Sequence, residues 1–415
     1  MIPRVPQRYQ TAYIVDSPIG FSGNIRRDLG RMRIAVLRER YLGERRVALI
    51  PANVAQLSKA GFQVVVESGA GVAAGFIDDD YQHKGATIAS DLDQALAAEM
   101  VVQVRSAGSD LDSGQLVRRK LRPDQILIGG CDPLGKAEAI EAFAQTGASL
   151  FALELIPRIT RAQSMDILSS QATIAGYRAV LLAAIELPRM FPMMMTAAGT
   201  LTAARVFVIG VGVAGLQAIA TARKLGAIVH AYDVRPACRE QVESLGGKFV
   251  QVQLDAASSE DKGGYAKAMD EDFYRKQREL MAQVVAESDV VITTAAIPGR
   301  PSPLLVTADA VRGMRLGSVI IDLAAERGGN CELTQANQRV VQHGVTILGP
   351  TNLPADTPNH ASQMFGNNVV KFVLNMMNKG QFQLNLEDEI VRETLVAHQG
   401  QIALARVRDL VSAGK

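Results

Sequence analysis

Residues 205–235 read RVFVIGVGVAGLQAIATARKLGAIVHAYDVR, and this stretch decides the fold. An apolar run, Val206 to Ile209, feeds the turn GVGVAG at 210–215; a helical pattern follows, and a second apolar run ends in Asp233. Strand, glycine turn, helix, strand and terminal acid stand in the register of a dinucleotide-binding unit. Gly210 permits the tight turn out of the strand, Gly212 lets backbone approach a pyrophosphate, and Gly215 lets the helix pack closely on the sheet. The unpaired N–H groups at the helix start and the positive end of its dipole attract that anion without a basic side chain. At the end of the second strand the Asp233 carboxylate can accept both adenosine ribose hydroxyls and repels a 2′-phosphate, which favours NAD over NADP. Arg235 pulls the other way, because a guanidinium can hold that phosphate.

The rest of the 415-residue chain is consistent with two such units. Single cores rarely grow past about 250–300 residues, and 48% of the residues are hydrophobic, so two domains are expected. From Arg33 onward short apolar strands alternate with helical stretches: RIAVL at 33–37, a helix beginning near Pro51, QVVVES at 63–68, MVVQV at 100–104, QILIGG at 125–130 and SLFALEL at 149–155. That alternation predicts a parallel, helix-covered sheet without a glycine fingerprint. A long apolar helical pattern between Ser169 and Leu187, stopped by Pro188 and Pro192, carries the chain across to the nucleotide unit. Met193, Met194 and Met195 read as adaptable packing. Beyond Asp233 come a helix, a polar loop at about 255–269, a helix to about Ser288, and strands DVVITT at 289–294, SVIIDL at 318–323 and VTIL at 345–348. A helix from about Ala361 to Met377 is expected to pack back on the first domain, while 384–415 carries no clear pattern. The fold class is therefore α/β, with two doubly wound parallel-sheet domains of Rossmann type joined by a long helix, and a cleft between them. The expected division is an extension at 1–31, a discontinuous domain at 32–168 and 350–415, and a nucleotide domain at 169–349.

Composition narrows the function classes. A formal charge of +2 without like-charge blocks argues against a nucleic-acid partner. Cys131, Cys238 and Cys331 are too few and too widely spaced for a disulfide framework, and five histidines without HxxxH or HExxH spacing argue against a metal site. No uninterrupted apolar run reaches the about 18 residues of a membrane span. The richest candidate, 179–195, is broken by Glu186, Pro188, Arg189 and Pro192.

In doubly wound sheets the ligand lies beyond the carboxyl ends of the strands. There the sequence places RITRAQSMDILS at 158–169, after the strand SLFALEL. Gln163, Asp166 and Ser169 are three apart and would share one side of a helix; with Arg158 they can bind a nicotinamide carboxamide and ribose. Thr160 and Gln163 also have capping-box spacing, so an ordinary polar helix start fits equally. Gly263, Gly264 and Tyr265 suggest a lid over bound nucleotide, and long glycine-containing loops are often plain surface. Thr293 to Gly299 leaves a strand end, as do Asp322 and Glu326, which are candidate acids or turn formers.

From Met32 to about Met377 the chain resembles the alanine dehydrogenase and transhydrogenase superfamily. The runs RITRAQSMDILSSQATIAGYRAV, FPMMMTAAGT, GVGVAGLQAIATARKLGA, VESLGGKF, GGYAKAM, TTAAIPG and IIDLAAERGGNC are similar to those of the NAD(H)-binding soluble domain of proton-translocating NAD(P) transhydrogenases. The resemblance implies NAD(H) bound here, NADP(H) bound on a partner beta subunit, and direct hydride transfer between them while membrane subunits move protons. It implies Arg158, Ile159, Thr160, Gln163, Asp166 and Ser169 around the nicotinamide, and Val213 at the glycine turn. Asp233, Val234 and Arg235 would meet the adenosine ribose, with Gly264 and Tyr265 in a mobile loop and Gln277 and Ala296 at further contacts. Ala296 is smaller than the leucine expected there. A homodimer is implied, held at the inner, cytoplasmic face of the membrane through partner subunits without inserting itself; the lack of a spanning segment fits the form whose alpha subunit is split in two. An alanine dehydrogenase is the competing member, and Arg46 matches its carboxylate-binding arginine. Its catalytic lysine and histidine align with Gln103 and with the Gly130–Cys131 region, and its aspartate with Glu326, so general acid and base are missing. A non-catalytic NAD-binding module is the third reading.

Overall fold

A computed structural model describes residues 26–27, 32–251, 271–296 and 299–414. In chain order its elements begin with β1 (Arg33–Val36), α1 (Pro51–Lys59), β2 (Gln63–Glu67), β3 (Thr87–Ala89), β4 (Met100–Arg105), β5 (Ile126–Gly130) and β6 (Ser149–Ala152). The helix α2 (Ile167–Glu186) leads to a hairpin, β7 (Met194–Thr196) and β8 (Gly199–Leu201). Next come β9 (Arg205–Ile209), α3 (Val213–Lys224), β10 (Ile228–Tyr232), β11 (Lys248–Phe249), β12 (Val290–Thr293), β13 (Val319–Asp322), β14 (Arg339–Gln342) and β15 (Val345–Leu348). The helix α4 (Pro358–Asn375) precedes β16 (Leu395–His398) and β17 (Gln401–Ile402).

Two large sheets result. The first runs β17-β16-β6-β5-β4-β1-β2-β3 and the second β11-β10-β9-β12-β13-β15-β14. Pairing is parallel across both centres, as the near-continuous apolar strands require, and antiparallel at one edge of each. Burial follows the period of two. In β9, Val206 and Val208 enter the core on one face and Phe207 and Ile209 that on the other. In β1, Ile34 and Val36 divide from Ala35 in the same way.

Three expectations need correction. The segment 384–415, without pattern in the sequence, supplies β16 and β17, and β16 lies antiparallel on β6 with a register shift between Leu395 and Ala397. The Met193–Met195 run does not pack within the chain. It opens the β7–β8 hairpin, whose residues are all exposed, with Met195 at 77% and Met193 at 60%, because the hairpin stands clear of both sheets. The long helix starts at Ile167 and is by length and composition apolar enough to cross a membrane, yet it lies against α3 and α4. There its backbone comes very close: a Cβ added at Gly176 would collide with the Ala214 carbonyl oxygen in the first turn of α3.

Candidate functional site

The carboxyl edges of the two sheets face each other. After β1, the buried Arg46 reaches Asn352, beyond β15, with an Nη2–Oδ1 distance of 3.1 Å. After β5, Asp132 pairs with Arg327, beyond β13. The next strands in each sheet are β6, whose exit is the stretch 153–169, and β12, whose exit is 294–296.

The glycine turn has the form that a pyrophosphate needs. Gly210 adopts φ +95°, closed to most side chains, and donates its N–H to the Tyr232 carbonyl at 2.8 Å. A Cβ on Gly215 would collide with the Gly210 carbonyl, so α3 can start this close to β9 only with glycine there. A Cβ on Gly212 would meet nothing within 4 Å: the N-cap of α3 opens onto free space, and Val213 behind it is exposed. A dinucleotide phosphate therefore fits these residues.

Asp233 lies at the mouth of β10, but its carboxylate is already engaged. Oδ2 accepts the Val211 N–H at 2.7 Å and Arg235 Nη2 at 3.0 Å; Oδ1 accepts Arg235 N and Nε, both at 2.9 Å. These four bonds fill the about four acceptor positions of a carboxylate. Arg235, read from sequence as a rival site for a 2′-phosphate, is in this structure the counter-ion of Asp233.

The stretch after β6 is not one helix, which corrects the shared face proposed for Gln163, Asp166 and Ser169. Thr160–Met165 forms a 3₁₀ segment whose N-cap is Ile159, and α2 begins only after Asp166. Asp166 is extended, which breaks the helical phase, and it caps α2: Oδ1 accepts the Ser169 N–H at 2.9 Å and Oδ2 the Ser169 hydroxyl at 2.6 Å. Gln163, Arg158 and Thr160 are exposed, while Ile159 packs on the first core. Two residues the sequence reading passed over hold this stretch in place. Arg161 grips Asp388 with both Nη atoms, at 2.6 and 2.9 Å, and holds that carboxyl down to about 2. Asn368 of α4 donates to the Ser164 carbonyl at 2.9 Å and accepts the Ser170 hydroxyl at 2.7 Å. Neither partner is near in sequence, so no local pattern signals them. Ser169 stands seven residues before Gly176, about 10 Å along a helix at about 1.5 Å per residue. The polar start of α2 is thereby tied to the first turn of α3 through the Gly176–Ala214 crossing.

Beyond β12 and β13, Asp322 is a turn former. Its oxygens accept Thr293 Oγ1, the Ala324, Asn330 and Cys331 N–H groups and Thr334 Oγ1, at 2.7–3.0 Å. Asn330 in turn grips both the N–H and the carbonyl of Ala295, fixing the exit that carries the exposed Ala296. Glu326 is exposed. Gly264 and Tyr265 lie outside the described residues; Gln277 lies in the helix Glu271–Ala286, its side chain outside them.

Arg46 sits in a buried ionic cluster. Glu44 takes its Nε and Nη2 at 2.7 Å each, and Gln171 takes Nη1 at 2.9 Å. These bonds hold Glu44 down at about 2 despite its burial. Neighbouring Glu39, whose carboxyl is enclosed although the residue is partly exposed, is pushed up to about 8, first by burial and then by the charge of Glu44. It accepts the Val104 and Arg105 N–H groups at 2.6 and 3.2 Å.

Two opposed parallel sheets, a glycine turn at a helix start and a polar wall across from it define a nicotinamide-nucleotide oxidoreductase fold. The N-terminal domain profile of the alanine dehydrogenase/PNT family matches residues 35–175 and its C-terminal domain profile 179–405, and the chain belongs to that family. Within it the chain is transhydrogenase-related: it is 48% identical over 374 residues to the first portion of NAD(P) transhydrogenase subunit alpha from Rhodospirillum rubrum, covering 89% of this chain and 97% of that one. The crystal structure of transhydrogenase from Sinorhizobium meliloti superposes with a TM-score of 0.78 at 42% identity, covering 90% of this chain and 99% of that one. An L-alanine dehydrogenase structure gives 0.76 at 26% identity, covering 92% and 99%.

Proposed function

We propose that this chain is the NAD(H)-binding subunit of a proton-translocating NAD(P) transhydrogenase, presenting NADH to NADP+ held on a partner beta subunit. The tie between α2 and α3 carries the proposal: it links a phosphate-binding helix start to a polar wall about 10 Å away along α2. Bound NAD(H) would supply the hydride. The chain's own residues then have binding and positioning work. Gly210, Gly212, Val213 and Gly215 would receive the pyrophosphate, and Asp233, Val234 and Arg235 the adenosine ribose. Arg158, Ile159, Thr160, Gln163, Asp166 and Ser169 would orient the nicotinamide end, with Ala296 opposite. Gln277, Gly264 and Tyr265 complete the proposed set, the last as a lid residue.

Domains at 32–168 with 350–415 and at 169–349, a homodimer, and a place at the inner membrane face through membrane subunits belong to the same proposal. The exposed methionine-rich hairpin, with Ile185 at 77% exposure, supports contact with a second copy. The test mixes the purified chain with an NADP(H)-binding transhydrogenase subunit and follows hydride exchange between NADH and an NADP analogue. Exchange is expected. Tight NADH binding without exchange would mean a binding module, and alanine oxidation by the chain alone would mean a dehydrogenase.

A further inference from the structure

Asp132 and Arg327 bridge the two walls of the cleft, and both are delivered by stiff turns. On the first wall, the Cys131 and Asp132 N–H groups both donate to Glu154 Oε1, at 2.7 and 2.6 Å, so the exit of β6 braces the exit of β5. Asp132 takes a positive φ of 46°, which an aspartate tolerates, and its carboxylate meets Arg327. On the second wall, Arg327 ends the short 3₁₀ turn Ala325–Arg327, followed by Gly328 and Gly329 at φ +96° and +83°. The bonds from Ala324, Asn330, Cys331 and Thr334 to Asp322 pin that turn, and the Arg327 carbonyl accepts the Ser302 N–H at 2.9 Å. The meeting point is shaped for the pair. A Cβ on Gly135 would collide with Arg327 Nη1 and with the Asp132 carboxylate, and Leu134 beside it lies against Gly299 of the opposite wall. Both side chains are partly buried, Arg327 at 32% and Asp132 at 23% exposure.

Position along the edges gives the pair its consequence. It lies at β5 and β13, between the Arg46–Asn352 contact and the exits of β6 and β12, which carry Arg158–Ser169 and Ala296. We propose that Asp132 and Arg327 are a positioning pair whose closure fixes the gap between those two exits, and with it the stance of the nicotinamide. The proposal rests on the NADH site proposed above. The Arg46–Asn352 contact alone leaves the gap one rotational freedom, and a second contact displaced along the edge removes it. Small misplacement of reacting groups lowers rate more than affinity, so the pair should act chiefly on exchange.

The experiment compares the full chain with Asp132→Asn, Arg327→Gln and the double variant. Spin labels go on cysteines introduced at the exposed Glu138 and Asp309, on opposite walls; the native cysteines are buried. Expected are longer and broader label distances in either single variant, NADH release three- to tenfold faster, and hydride exchange reduced more than NADH affinity. The double variant should be no worse than the singles, since either substitution already opens the pair, and high salt should move wild type toward the variants. Unchanged distance distributions in both singles, or effects that add in the double, would overturn the pair. If wild type binds no NADH the functional proposal fails, while the label distances still decide whether the pair closes the walls.

Discussion

Replacing Asp233 by alanine tests the proposed nucleotide site most directly, because its carboxylate has one job within the chain and a second, proposed one at the ribose. Within the chain it accepts the Val211 N–H at 2.7 Å, and Val211 is 1% exposed. Losing that acceptor leaves a buried donor unpaired, at a cost of about 1–3 kcal/mol, which appears as a lower melting temperature. For binding, ribose hydroxyls must first displace the Arg235 guanidinium, which holds Nε and Nη2 on the same carboxylate at 2.9 and 3.0 Å. Two bonds to a charged acceptor give about 1.5–3 kcal/mol each, and the exchange with a partly exposed arginine cancels some of that. A net of about 2 kcal/mol remains, roughly a 30-fold rise in the NADH Kd at about 1.4 kcal/mol per tenfold. NADPH should lose less, because the charge that repels its 2′-phosphate goes too. Fluorescence titration with NADH and NADPH, well below the melting transition, reads both. Arg235→Ala is the control: it frees two acceptor positions and removes a cation, so NADH should bind within a few fold of wild type and discrimination against NADPH should widen. A folded Asp233→Ala chain that binds NADH within twofold of wild type would refute the ribose role.

Gly215→Ala drives a Cβ into the Gly210 carbonyl, where backbone cannot yield, so stability should fall by about 1–3 kcal/mol or more and NADH binding with it; thermal unfolding and titration check both. Gln163→Ala is expected to keep NADH affinity within a few fold and slow hydride exchange, and wild-type exchange would make Gln163 only a member of a 3₁₀ turn. Glu39 gives a pH signature. Its folded value near 8 lies above its ordinary 4.5, so between those values the unfolded chain holds fewer protons, and stability falls as pH rises, by at most about 1.4 kcal/mol per pH unit. Glu39→Gln should flatten that decline in urea melts at pH 5, 6.5 and 8; equal slopes would show the carboxyl to be ionised when folded.

The glycine turn, the strands around it and the long connecting helix were legible because each depends on neighbours in sequence: an apolar period, a turn that only glycine allows, and prolines past a helix end. The exit of β6 was legible in its residues and not in its geometry. Spacing put Gln163, Asp166 and Ser169 on one helix, whereas the cap made by Asp166 interrupts it, since a capping aspartate and a helical one have the same spacing to a serine three residues on. The anchors of that stretch, Asn368 and Asp388, come from about 200 residues away, and the strands β16 and β17 owe their place to β6. Such partners leave no local period to read.

The acids at the carboxyl ends of the strands share one task. Glu39 after β1 holds the N–H groups of Val104 and Arg105 in β4, and Glu67 in β2 holds Arg38 N after β1. Glu154 after β6 holds the exit of β5, Asp233 after β10 holds that of β9, and Asp322 in β13 holds Thr293 of β12. Each staples its strand end to a neighbour, through backbone N–H groups left where a ladder stops or, for Asp322, through the Thr293 hydroxyl. Apart from Glu39, which keeps its proton up to about pH 8, groups committed in this way are poor proton carriers, because moving the side chain would loosen the edge that shapes the cleft. Proton abstraction from an amine would need one of them free. Hydride passing directly between two nicotinamides needs none, only two rings held at the right distance, and that is the demand a stapled edge and an ionic contact across it can meet.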